Sequence, residues 1–435
     1  MPGSVAAAIP KTERPLTVCL DARLVSGDRG GVEQVIIGLA DAFSRLDDGD
    51  ERYLFLVDPG HSAWLEPHVF GPSSLLTSGG RPALGDDRGG LRRTAGRAVK
   101  TAIPRPIRAA IHNHRRVAIV LSDSDGAIEE AGVDVVHFPM QVGFQTAVPT
   151  VFAPHDLQHL HFPEFFTKRH VAERESTYRA LCERASVVTV MSTYGRDDLM
   201  ARYGLAPDKI LVVPGAATIA ANAPLSATEV AETRERLRLP VDFALYPAKA
   251  WPHKNHVRLV AALRVLRDQG IDIPLVLTGS QSGREIPVMA EAATRGVDDL
   301  IHFVGFVTPQ ELTALYRMAR IMVFPSLFEG WGLPILEAMT ADLPLACSTA
   351  TCLPAITAGA AELFDPTDIG AIAHATSLVW QDENLRKRLI ADGRLRASQF
   401  SWDRSARMFR ACYRKLGNRC LSADDSTLLD APPLA

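Results

Sequence analysis

Six cysteines in 435 residues are few, and Cys19, Cys182, Cys347, Cys352, Cys412 and Cys420 show no CxxC spacing. A disulfide scaffold is thereby excluded. Thiols lying in apolar runs read as reduced core residues, which fits a reducing cytoplasm. No apolar run reaches the ~20 residues that a membrane-spanning helix needs. The opening MPGSVAAAIPKTERP lacks the apolar core of a secretory signal. Basic residues number 47 against 50 acidic ones, a formal charge of −3, so the basic excess of a general nucleic-acid binder is missing. No GxGxxG follows the first strand and no GxxxxGK[ST] occurs. Dehydrogenase and P-loop NTPase readings therefore lose their support.

What is present is a repeated rhythm of short apolar strands and amphipathic helices. The hydrophobic fraction is 47% and the charged fraction 22%, ordinary for a globular protein. At roughly 150 residues per domain the length suggests two or three domains. Residues 16–21, 53–57, 133–138, 150–153, 187–191 and 210–213 read as strands, with helical patterns over 32–43, 173–184 and 194–203. A second block places strands over 243–247, 275–278, 301–304, 321–324 and 345–347. Its helices cover 256–269, the segment from Thr308 and 333–340. Thr308 and Glu311 form a capping box, with Pro309 at the first helical position.

Alternation of this kind predicts parallel sheets with crossover helices. The expected architecture is two doubly wound α/β domains, 16–215 and 241–400, joined by a linker with a short helix over 216–240. Residues 61–116 read as an irregular basic insertion. A helix over 401–418 is expected to pack back on the first domain, and 421–435 to be a disordered tail. Ligands in such folds bind outside the carboxyl ends of the strands, so the interdomain cleft is the expected site.

The strongest motif is FPSLFEGWGLPILEAM over residues 324–339. A strand ends at Phe324-Pro325, a loop carries Glu329-Gly330-Trp331-Gly332, and a helix begins at Leu333-Pro334. The glycines let backbone approach a ligand. The helix N-terminus offers free N–H groups to a phosphate, worth roughly 0.3–1 kcal/mol and up to ~2 when partly buried. Glu329 and Glu337 cannot serve the phosphate. They are acceptors suited to the hydroxyls of a sugar or a ribose. Seen alone, either would be an ordinary surface charge.

Together they resemble the E-x7-E motif of retaining glycosyltransferases of family 4, and the resemblance runs over about residues 17–415. It implies the GT-B architecture, two Rossmann-like domains facing a cleft. The nucleotide-sugar would be held mainly by the C-terminal domain and the acceptor by the N-terminal one. It implies that Glu329 contacts the donor sugar, that Glu337 contacts the ribose, and that Gly330, Trp331, Gly332 and Leu333 line the donor site. The segment YPAKAWPHKNH, residues 246–256, resembles the family's basic loop. Lys249 and Lys254 would then neutralise the leaving diphosphate. Lys249 stands where arginine is commoner, and a lysine lacks the bidentate fork. His155, just past the strand over 150–153, resembles the family's histidine facing the transferred sugar, and Asp156 is a candidate to orient its ring. Gly30-Gly31 resembles the glycine pair that opens the first helix, and Gly305 the strand end near the base. Pro354-Ala355 departs from the family's Pro-Glu, so no role is assigned there.

His155, His159 and His161 have an H-x3-H-x-H spacing that suits zinc if a helix and turn converge. Pro154, Pro163 and the intervening aromatics oppose a regular helix, and loop packing is the simpler reading. No metal or other cofactor is expected. Residues 88–116 carry nine basic residues and no acid. Two readings stand for them: a solvated insertion, or a surface for anionic phospholipid or a lipid-diphosphate acceptor, at about 1 kcal/mol per basic group.

The resemblance thus implies a metal-independent retaining hexosyltransferase. Its donor would be a UDP- or GDP-sugar and its acceptor a hydroxyl of a glycan or lipid-linked substrate. It would act in polysaccharide biosynthesis, in the cytoplasm or at the inner face of the membrane. The alternatives are another GT-B enzyme, such as an epimerase or phosphorylase, and a non-catalytic sugar-nucleotide-binding protein.

Overall fold

A computed structural model describes residues 14–24, 30–78, 121–218, 221, 224–279 and 285–435. The N-terminal sheet contains β1 (Thr17–Asp21), β2 (Arg52–Val57), β3 (Ser73–Thr77), β4 (Val135–Phe138), β5 (Thr150–Phe152), β6 (Val187–Val190) and β7 (Ile210–Val212). Their order is β3-β2-β1-β4-β5-β6-β7. The C-terminal sheet contains β8 (Ala244–Tyr246), β9 (Leu275–Thr278), β10 (Ile301–Gly305), β11 (Ile321–Phe324), β12 (Leu345–Ser348) and β13 (Glu362–Phe364). Their order is β10-β9-β8-β11-β12-β13. Neighbouring strands pair in parallel throughout both sheets. The central strands are apolar and buried along their length, as covering by helices on both faces requires.

Each sheet reverses its order beside its own first strand, between β1 and β4 and between β8 and β11. Crossovers on either side of such a point leave a crevice at the carboxyl ends of the strands. The loops leaving β8 and β11 carry Lys249, Lys254 and Glu329. The two segments singled out in the C-terminal half, about 75 residues apart, therefore open into one crevice.

The Trp402–Leu416 helix crosses back to the N-terminal domain. Its strongly amphipathic sequence buries Trp402, Ala406, Phe409 and Tyr413. The Trp402 ring leaves no room for a Cβ at Gly38, in the Gly31–Ser44 helix. The Trp402 indole donates to the Ala217 carbonyl at 2.9 Å, and Ser405 Oγ donates to the Pro214 carbonyl at 2.6 Å. The interdomain linker is thus stapled to the helix that returns.

Three boundaries differ from the sequence reading. Residues 61–78 are not an irregular excursion, because they contain edge strand β3 paired along β2. Its SSLLT run is too short to show a period. The linker is shorter than 216–240. The Ala227–Leu237 helix has a full capping box between Ser226 and Glu229 and packs on the Pro309–Met318 helix of the C-terminal domain. The tail is ordered as well. The Ala423–Asp430 helix is capped by Ser422 and Asp425, and Arg414 bonds Asp425 at 2.7 Å and Glu51 at 2.6 Å. Beyond it, the Leu434 carbonyl accepts from Arg396, and the Ala435 carbonyl accepts from Thr193 N–H, each at 2.7 Å. This helix has little polarity contrast of its own, and tertiary partners hold it. The basic stretch 88–116 lies outside the described residues.

Candidate active site

The loop after β8 is fastened to the loop after β11 before any charged group is considered. Asn255 adopts φ 62° and is buried. Its side-chain N–H groups donate to the Pro325 carbonyl at 3.0 Å and the Pro366 carbonyl at 2.8 Å. Tyr246 OH donates to the Lys254 carbonyl at 2.8 Å, and Leu327 N–H donates to the His253 carbonyl at 2.7 Å. On this frame Lys254 Nζ lies 2.6 Å from Glu329 Oε1, with the side chains 19% and 11% exposed. Water screens such a pair poorly, so each charge constrains the other. Lys249 stands at the entry of the same loop. Gly279 passes it so closely that a Cβ would lie 3.1 Å from Lys249 Cα, and its φ of 134° suits glycine. His253 is pushed down to about 2, chiefly by burial and further by the Lys254 charge. The loop's only formal cations are therefore its lysines.

Glu337 is not a solvated helix residue. It lies on the Leu333–Thr340 helix, whose N-cap is Gly332 at φ 138°, and its carboxylate is buried. Tyr316 OH donates to Glu337 Oε2 at 2.6 Å, and the Thr218 hydroxyl and N–H donate to the same carboxylate. Burial raises its pKa, and these hydrogen bonds oppose the rise. Sequence reasoning missed both partners. Tyr316 reads as one more apolar-face residue, although a buried phenol needs a partner. Thr218, in the linker, gives no local signal.

Gly330 meets the other domain. A Cβ there would lie 2.8 Å from the His155 carbonyl, and its own carbonyl accepts from Ser192 Oγ at 3.2 Å. Trp331 turns away from this contact. Its ring is buried, edge-on to Phe400 at 5.6 Å and beside Gly215, and its N–H finds no acceptor. Any donor contact at this position falls to its backbone. Leu333, at the helix start, faces Gly31 at the start of the first helix, where a Cβ would lie 3.8 Å from Leu333 Cδ1. Gly30 precedes it in extended conformation. Two helix N-termini thus approach each other across the cleft. Gly305 ends β10 at φ 75° and accepts from Gly279 N–H at 2.9 Å.

His155 has φ 64°, an unusual conformation for a residue with a Cβ. Its Nε2 lies 2.8 Å from the Pro139 carbonyl. A carbonyl only accepts, so Nε2 carries the proton and Nδ1 is left as the acceptor. Burial lowers its pKa and keeps it neutral. Asp156 does not orient this ring, because its carboxylate accepts from Gln158 N–H at 2.9 Å. His159 turns to Glu175 at 3.4 Å and His161 to Asp198 at 2.8 Å. The three histidines therefore serve different partners. Among the described residues no group of three or more His, Cys, Asp or Glu side chains is placed to hold a metal.

Residues 29–219 match the family described as Glycosyltransferase Family 4, and residues 230–396 match Glycosyl transferases group 1. The chain is 31% identical over 252 residues to O-antigen chain mannosyltransferase B of Escherichia coli, covering 57% of this chain and 66% of that protein. It is 27% identical over 319 residues to the serotype-specific mannosyltransferase WbdA of Escherichia coli, covering 68% and 39%. It is 29% identical over 255 residues to D-inositol 3-phosphate glycosyltransferase of Corynebacterium glutamicum, covering 55% and 60%. The matches span less than two thirds of each of these relatives. Among solved structures, a glycosyltransferase from Rickettsia africae superposes with a TM-score of 0.64 at 16% identity, over 92% of this chain and 98% of that one. Anabaena HepE in complex with UDP and glucose superposes with a TM-score of 0.65 at 17% identity, over 92% and 100%. At such identities the likeness is one of fold.

Proposed function

The chain belongs to the group 1 glycosyltransferases of the family 4 type, with the GT-B fold, and from that premise we propose that it transfers a hexose, with retention, from a nucleotide-diphosphate sugar to a hydroxyl of a glycan or lipid-linked acceptor. The observation that carries this reading is the Lys254–Glu329 pair at 2.6 Å in the crevice between β8 and β11. A cation fit for a diphosphate and a carboxylate fit for sugar hydroxyls stand side by side there. Both ends of a sugar-diphosphate linkage can be met at once.

In this reading Lys249 and Lys254 take the growing charge of the diphosphate, with the backbone N–H groups of Gly330 to Leu333. Glu329 accepts from hydroxyls of the transferred sugar and Glu337 from those of the ribose. His155 offers Nδ1 as an acceptor towards the sugar from the opposite wall. The bond from the anomeric carbon to the diphosphate oxygen breaks. A bond to the acceptor oxygen forms on the same face, and the acceptor's proton passes to the departing diphosphate. The protein contributes position and electrostatics. Lysines and helix N-termini supply the positive charge, so no metal has a task. Two of the named relatives are mannosyltransferases, which makes mannose the first sugar to test, and O-antigen-like polysaccharide the first acceptor class. Among the described residues no helix is long and apolar enough to cross a membrane.

A melting-temperature screen against UDP-, GDP-, ADP- and dTDP-sugars identifies the donor, and turnover is then measured with that donor in EDTA. Activity is expected to persist. Glu329→Ala is expected to lose about 10²–10³-fold in kcat while retaining its circular dichroism spectrum. Full activity of that variant would remove the proposed site.

A further inference from the structure

We propose that Phe328 is a positioning residue, which sets Glu329 by seating its ring in an aromatic socket of the opposite domain. The inference rests on the reading of Glu329 as the group that holds the sugar.

Phe328 belongs to the C-terminal domain but is 2% exposed, because the N-terminal domain covers it. Its ring lies 4.9 Å from His161, 6.1 Å and edge-on from Phe162, and 6.1 Å and edge-on from Tyr194. The socket has its own supports. Asp198 holds the His161 ring at 2.8 Å, and Phe165 stacks on Phe162 at 5.1 Å. Edge-to-face geometry of this kind gives direction as well as apolar burial.

The backbone around Glu329 is held from both sides. The C-terminal domain holds it through Leu327 N–H to the His253 carbonyl at 2.7 Å and Glu329 N–H to Thr351 Oγ1 at 3.2 Å. The N-terminal domain holds it through the Phe328 ring and through Ser192 Oγ to the Gly330 carbonyl at 3.2 Å. The residues before and after Glu329 are thus both anchored in the other domain. The C-terminal domain also reaches Glu329 itself, through the Cys352 thiol at its carbonyl and Lys254 at its carboxylate. Separating the domains would withdraw the two anchors that flank Glu329 and leave those of its own domain. Glu337 lies on a regular helix, and among the described residues its carboxylate is bonded from outside its own domain by the linker residue Thr218. The loop that carries the sugar-holding carboxylate is therefore set by the other domain on both flanks of Glu329, whereas Glu337 is placed by its own helix. Placing a reacting group only on closure keeps the sugar from transfer to water while the cleft is open.

The test compares wild type, Phe328→Ala, Phe328→Leu, Tyr194→Ala and the Phe328→Ala/Tyr194→Ala double variant. Solution scattering is recorded on each full chain without ligand. The affinity for GDP and for UDP and the kcat with the donor found by melting screen are then measured. Phe328→Ala is expected to enlarge the radius of gyration, to lower kcat by about 10–10²-fold and to leave nucleotide affinity within about twofold. Phe328→Leu should recover part of kcat. The double variant should lose no more than Phe328→Ala alone, since both remove one contact. Unchanged scattering and kcat in Phe328→Ala, or multiplicative losses in the double variant, would overturn the socket. Glu329→Ala separates the two ideas. If it stays fully active, the sugar-holding reading fails, while scattering still decides whether Phe328 closes the domains.

Discussion

The two domains share one construction and hold their functional side chains in different ways. In the C-terminal domain the relevant groups lie on two loops that leave adjacent strands and are laced by Asn255, Tyr246 and Leu327. In the N-terminal domain His155 stands on a strained turn after β5, oriented by one carbonyl. Its neighbours Ser192 and Tyr194 reach the site only by touching the other domain. The basic loop is thus laced from within its own domain, whereas the Glu329 loop and the His155 wall are completed by contact between the domains. In the proposed reading, the diphosphate end of the donor site is prebuilt and its sugar end is set by that contact.

The sharpest way to break this contrast is to remove one cationic or imidazole group from each half. Lys254→Ala should cost about 10²–10³-fold in turnover and weaken nucleotide diphosphate binding. His155→Ala should lower turnover while leaving that binding unchanged, read by calorimetry with GDP and UDP. Equal losses of nucleotide affinity would erase the distinction. Next comes Asn255→Ala, which strands two buried carbonyls and keeps a Cβ at positive φ. A loss of about 2–4 kcal/mol in urea unfolding is expected. Loss of less than half of that would mean that the lacing between the loops is dispensable.

Protonation affects both halves alike. His137 in β4 and His256 in the C-terminal domain are buried, and burial holds them at about 3 and about 4. Below about pH 6.5 the unfolded chain takes up protons that the native state refuses. Stability should therefore fall with pH from about 6.5 towards those values, by about 1 kcal/mol per pH unit for each group. His137→Phe should lower the slope, measured as urea midpoints between pH 7 and 5. A slope identical to wild type would contradict the burial argument. The smallest effect is expected of Ser192→Ala, which removes the cap of the Thr193–Tyr203 helix and the bond to Gly330. Its cost should be about 1 kcal/mol, with a larger proportional effect on kcat than on melting temperature because the interdomain bond is lost with the cap.

Much of the C-terminal site was legible because it is local. Glu329 and Glu337 belong to one loop and helix, and Lys249 and Lys254 to one turn. Proline, glycine and capping residues mark where each begins. What escaped was decided at a distance. Asp156 is adjacent to His155, yet serves Gln158 instead. Trp331 sits within the motif, yet its ring belongs to the packing beside Gly215 and Phe400. Edge strand β3 and the Ala423–Asp430 helix are short and carry weak periodicity, so their neighbours define them.

By itself the sequence determined the alternation of strands and helices, the two blocks, and the residue types at the loop ends. Each follows from period, turn chemistry and propensity within a few residues. Only the tertiary structure decided which polar group meets which. Lys254 pairs with Glu329, Tyr316 and Thr218 hold Glu337, and Tyr413 lies 2.7 Å from a His137 that is 276 residues away in sequence. Those pairings depend on strand order, on the crossing of the last helix and on the closeness of the two domains. A buried polar group bonds whatever the topology brings within about 3 Å of it.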